Sequence, residues 1–104
     1  MATKPSGGTD TLTETRDTTA KPPMYKVLFH NDDYTTMEFV VASLMTIFHH
    51  DEASATRIMM HVHANGVGIA GVYTREVAET KVAQTIGMAR KNDFPLEVTI
   101  EPAD

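Results

Sequence analysis

The chain contains no cysteine, so it can form no disulfide, carry no thiol nucleophile and hold no thiolate-bound metal. Its fold has to stand on an apolar core. It also lacks an excess of basic charge. Nine Lys and Arg against 14 Asp and Glu give a formal charge of −5, which removes the electrostatic footprint needed to bind a nucleic-acid backbone or an anionic membrane. Cationic or neutral partners are expected instead. No apolar run approaches the roughly 20 residues of a membrane span, and the N-terminus has no hydrophobic core of a secretory signal. Neither membrane insertion nor Sec export is expected. With 104 residues the chain is too short for a two-domain enzyme, and a single-domain, monomeric, cytoplasmic protein is the expectation.

What is present is unevenly spread, and the composition breaks at Pro22-Pro23. Residues 1–23 hold seven Thr, three Pro, two Gly and only four apolar residues, with three charges of each sign. Such a segment buries too little surface to offset its ordering entropy, so a disordered N-terminal extension is expected. A transit peptide is the competing reading of a Thr-rich leader. Asp10, Glu14 and Asp17 sit badly with the acid-poor composition of those signals. Residues 24–104 carry 39 apolar side chains, six basic and eleven acidic ones, and so the whole net charge.

Periodicity divides this body. Tyr25, Val27 and Phe29 alternate with Lys26, Leu28 and His30, the pattern of a strand with one apolar face. A turn through His30-Asn31-Asp32-Asp33 leads to Thr35 and Glu38, spaced as a capping box, which predicts a helix from about Thr36. Its apolar stripe is Met37, Val40, Val41, Leu44, Ile47 and Phe48, and His49-His50 ends it. Asp51 can cap a second helix with the stripe Ala55, Ile58, Met59 and Val62, closed at Asn65-Gly66. Two helices so briefly linked form a hairpin. Val67–Tyr73, with glycines at 66, 68 and 71, reads as a strand lying close to other backbone.

Thr74 then caps a third helix. Glu76 and Glu79 open it, Arg90 and Lys91 close it, and Ala78, Val82, Ile86 and Ala89 form its buried face. Leu96, Val98 and Ile100 alternate in a last strand that Pro102 stops. The order β-α-α-β-α-β predicts an α+β two-layer sandwich, a small three-stranded, mainly antiparallel sheet with three helices on one face.

The densest polar cluster is Asn31-Asp32-Asp33. It has two readings: turn formers favoured at a helix N-terminus, or an amide and two carboxylates that bind a cation or protonated amine. Five histidines raise the question of metal. His49-His50 and His61-x-His63 lack the i, i+4 spacing of a helical zinc pair, and His61 and His63 point about 200° apart. No metal site and no cofactor are expected. Ser43 and Ser54 lie inside helices with no nucleophile elbow, and no Gly-rich loop cradles phosphate, so no catalytic residues are assigned. His63 borders the apolar stripe of its helix. Should the hairpin bring it beside the 31–33 turn, these groups would ring a crevice lined by Met37, Val40, Met59 and Val62.

At these residues the sequence resembles the ClpS family, bacterial adaptors that recognise N-degrons. The matching stretches are YKVLFHNDDYTTMEFVV, ATRIMMHVHANG, GVYTREVAETKVA and FPLEVTIE, which together run from Tyr25 to Glu101. The resemblance implies a fold like the C-terminal domain of the ribosomal stalk protein. It implies capture of substrates with N-terminal Leu, Phe, Tyr or Trp, and their delivery to a ClpA-type unfoldase for degradation by ClpP. On that basis Asn31, Asp33 and His63 contact the α-amino group, with Asp32 assisting. Thr35, Met37, Val40, Met59, Val62 and Leu96 form the side-chain pocket, and Met37 is the gate that excludes β-branched residues. Glu76 and Lys81 dock the unfoldase, and residues 1–23 correspond to the extension needed for delivery. The family usually has Pro where this chain has Thr36. A general protein-interaction domain related to the stalk protein is the alternative; a small metal-dependent enzyme ranks third.

Overall fold

A computed structural model of the chain describes residues 21–104. The expected disordered extension lies outside the described residues except for Lys21-Pro22-Pro23, which are exposed and without regular structure.

Six elements follow in the expected order: β1 (Met24–His30), α1 (Met37–Thr46), α2 (Glu52–Asn65), β2 (Val67–Thr74), α3 (Arg75–Lys91) and β3 (Glu97–Pro102). The sheet is fully antiparallel, with β1 between β2 and β3. The most apolar strand therefore takes the centre. Val27 and Phe29 of β1 are fully buried under the helices, whereas Lys26, Leu28 and His30 point to the opposite face. There Lys26 pairs with Glu101 at 3.8 Å and His30 Nε2 lies 2.8 Å from the Thr99 hydroxyl.

Between β1 and β2 the register moves from Val27 opposite Gly71 to Leu28 opposite Ile69, which leaves Ala70 as a bulge. The bulge has a use. His50 Nε2 donates to the Ala70 carbonyl at 2.5 Å and ties the α1–α2 loop to β2. The Phe48 ring meets Phe29 edge-on at 5.4 Å, so the end of the α1 stripe closes the core from the loop side.

Three details depart from the sequence pattern. The cap of α1 is Thr36, whose hydroxyl accepts from Phe39 N at 3.1 Å, and not Thr35. Thr35 is already committed to Asp32, so the cap moves one residue on and Glu38 becomes a first-turn acid rather than the partner in a capping box. Thr74 occupies the N-cap position of α3, yet its side chain makes no capping bond. On α3 the deepest residue between Ala78 and Ala89 is Thr85, while Val82 and Ile86 are only half-buried. Its hydroxyl donates to the Lys81 carbonyl at 2.7 Å, so a polar atom sits in the core without an open valence.

Candidate functional site

Asp32 builds the turn after β1. Its Oδ1 accepts from the backbone N–H groups of Tyr34 at 2.8 Å and Thr35 at 2.7 Å, and its Oδ2 accepts from the Thr35 hydroxyl at 2.8 Å. Burial alone would push its carboxyl up. These three donors and the positive Arg90 outweigh that and hold it below the usual aspartate range. Asp32 is therefore an anion spent on shaping the loop, and its neighbours Asn31 and Asp33 stay exposed.

The far wall comes from α2. Asp51 caps its start through Ser54 N at 2.9 Å, and Gly66, at φ +87°, closes its end in the left-handed conformation that glycine adopts without strain. Asn31 N then donates to the Gly66 carbonyl at 2.8 Å. This bond places the C-terminal turn of α2, with His63, against the Asn31-Asp32-Asp33 loop. The condition set by the sequence pattern is thus met.

Between loop, α1 and α2 lies a cavity of about 510 Å³. Asn31, Asp32, Asp33 and His63 stand on its polar side, and Met37, Val40, Met59 and Val62 on its apolar side, with Thr35 between. Val40, Met59 and Val62 are buried, but Met37 is 44% exposed, as a residue at an opening has to be. Leu96 is the exception. It is 1% exposed, belongs to the buried core and does not line the cavity. Tyr34, Thr36 and Glu38 also line the rim. Tyr34, 76% exposed, had no sequence signal, since an aromatic in a turn has no period to betray its direction.

Other candidates gather less chemistry. A cavity of about 500 Å³ lies between α2, through Arg57, Ile58 and His61, and the sheet residues Leu28, Val67 and Ile69, and brings together no cluster of acceptors. Among the described residues no three His, Asp or Glu side chains converge on a point that could hold a metal ion. Glu76 and Lys81 do share a shallow depression on α3 with Val77 and Thr80. Glu76 is exposed, whereas Lys81 is half-buried. Its ammonium donates to the Ile47 carbonyl at 2.7 Å and lies 5.3 Å and 5.8 Å from the Tyr73 and Phe48 ring centres. Lys81 thus satisfies the C-terminal end of α1 as well as facing outward.

Residues 20–99 match the family model of the ATP-dependent Clp protease adaptor protein ClpS. The chain belongs to the ClpS family. A Myxococcus xanthus ClpS, named an ATP-dependent Clp protease adapter protein, is 52% identical over all of this chain and 99% of its own length. A ClpS of Caulobacter vibrioides, named in the same way, is 56% identical over 90% of this chain and 86% of its own. Among solved structures, Agrobacterium tumefaciens ClpS2 bound to L-phenylalaninamide superposes with a TM-score of 0.76 at 39% identity, covering 79% of this chain and 99% of that one. Thr36 gives α1 a hydroxyl cap, which the proline that the resemblance implies at this position would lack.

Proposed function

We propose that this chain is a non-enzymatic cytoplasmic adaptor, acting as a monomer, that captures polypeptides by a free α-amino group together with an N-terminal Leu, Phe, Tyr or Trp side chain. It hands them to a ClpA-type unfoldase for degradation by ClpP. The observation that carries this reading is the Asn31 N to Gly66 O bond, which joins an exposed amide, an exposed carboxylate and an imidazole at the mouth of one methionine-walled cavity.

The chemistry matches the ligand in two halves. An α-amino group titrates near 7.7–8.0, so at neutral pH it is mostly a cation with three donors to satisfy. The Asp33 carboxylate, the Asn31 side-chain carbonyl and a His63 ring nitrogen are three acceptors. Burying a Leu or Phe side chain among Val40, Met59 and Val62 adds about 2–3 kcal/mol, and leaving a buried polar partner unpaired costs about 1–3 kcal/mol. Both the charge and the side chain are therefore read. L-Phenylalaninamide, the ligand of the Agrobacterium relative, has this pairing of free amine and aromatic side chain.

The docking role assigned to Glu76 and Lys81 is supported by their common depression on α3. For the pocket, labelled peptides beginning with Leu, Phe, Ile and Val are titrated against the protein. Tight binding of the first two and weak binding of the last two is expected. Equal binding of all four would instead mark a general protein-interaction domain.

A further inference from the structure

The helical hairpin holds a second cavity that the pocket does not account for. It lies along the outer seam of α1 and α2, has a volume of about 430 Å³, and shares Met37, Glu38 and Met59 with the pocket. Beyond these its walls are Val41, Ala42 and Met45 from α1 and Glu52 and Thr56 from α2. Met37 and Met45 are 44% and 37% exposed, an apolar display that the core does not require. In the antiparallel hairpin the seam starts at the pocket, where α1 begins and α2 ends, and runs toward the loop between them. Met37 and Met45 are eight residues apart, about 12 Å along the helix. That distance is the length of three to four extended residues.

We propose that this seam is a second subsite, which receives residues two to four of the captured polypeptide and favours apolar side chains there. The proposal rests on the pocket reading above. The α-amino group is fixed at the Asn31, Asp33 and His63 end, so the chain has to leave the pocket on its carbonyl side. The seam is the apolar path that continues from the pocket, with Met37 as the shared wall. Methionine suits such a path because its unbranched, polarizable side chain adapts to differing shapes. A second copy of this chain fits the seam poorly. Glu38 and Glu52 border it, and a symmetric contact would bring these carboxylates against their own equivalents.

The test compares L-phenylalaninamide, Phe-Gly-Gly-Gly and Phe-Leu-Leu-Gly amides on wild-type protein and on the Met45→Gln and Ala42→Gln variants, both substitutions at exposed helix positions. The leucine peptide should bind wild type about fivefold tighter than the glycine peptide, the worth of one half-buried leucine side chain. Each variant should abolish that gain while holding L-phenylalaninamide as wild type does. Equal binding of the two peptides by wild type, or a gain that survives both variants, overturns the subsite. So does a concentration-dependent dimer that the variants dissolve without changing peptide affinity. Failure of wild type to bind L-phenylalaninamide overturns the pocket reading, and the subsite with it.

Discussion

Asp32 receives both donors of Thr35, the backbone N–H at 2.7 Å on one carboxylate oxygen and the hydroxyl at 2.8 Å on the other. This pair decides where α1 begins and which acids of the loop remain free. Asp33 is exposed, and on the proposed function it rather than Asp32 meets the ligand's charge.

The first prediction follows from that anchor. Asp32→Ala should cost about 1–2 kcal/mol of fold stability, as loss of hydrogen bonds to a charged acceptor does. The carboxyl is held below its ordinary range in the folded state, so its contribution is present above the unfolded value and is lost as pH falls through the folded one. Thermal melts of wild type and Asp32→Ala should therefore differ at neutral pH and converge as the buffer is taken into the acid range. A constant difference across that range would contradict the assignment.

Gly68 tests how tightly β2 and α2 must approach. A methyl group placed there would come within 2.7 Å of Val62 Cγ2 and 3.2 Å of His61 Cδ2. Gly68→Ala should cost about 1–3 kcal/mol by overpacking and, because Val62 lines the pocket next to His63, should weaken peptide binding as well. Chemical denaturation and peptide titration on one sample read both effects; unchanged values for both would show that the approach is slack.

Met37 is predicted to act as a gate. Met37→Ala should raise affinity for peptides beginning with Ile or Val by roughly tenfold relative to Leu, the scale on which a pocket discriminates by a methyl group. Little stability is at stake, since the side chain is 44% exposed. An unchanged ratio of Leu to Val affinities would place the gate elsewhere.

On α3 the two docking candidates should separate in their effect on the fold. Lys81→Ala removes the donor to Ile47 and the cation above two rings, and should lower stability by about 1–2 kcal/mol. Glu76→Ala, at an exposed position, should leave stability unchanged. Both should weaken binding to a ClpA-type unfoldase. Melting curves beside an unfoldase-binding assay distinguish a contact residue from one that acts partly by holding α1.

How much of this was legible in sequence depends on the kind of signal. The strands and helices were readable because alternation at Val27 and Phe29 and the 3.6-residue stripe at Val40 and Leu44 directly encode burial. The Asp51 cap and the Gly66 stop were readable because each is a local backbone requirement. The shift from Thr35 to Thr36 was not, since two adjacent threonines compete for one cap and only the bonds of Asp32 break the tie. Lys81 as the C-terminal partner of α1 depends on elements far apart in the chain. No local pattern records such meetings. The juxtaposition of Asn31 with the end of α2 was legible only as a condition, which the bond to Gly66 fulfils.

On the proposed function, the Asn31, Asp33 and His63 end of the cavity reads a free, protonated α-amino group. Its most direct test is the affinity of one Leu- or Phe-initiated peptide measured with its amine free and with the same amine acetylated. Acetylation removes the positive charge and two of three donors, so the acetylated peptide should bind at least about tenfold more weakly, the loss expected for charge-assisted bonds. Equal affinities for the two peptides would contradict the account.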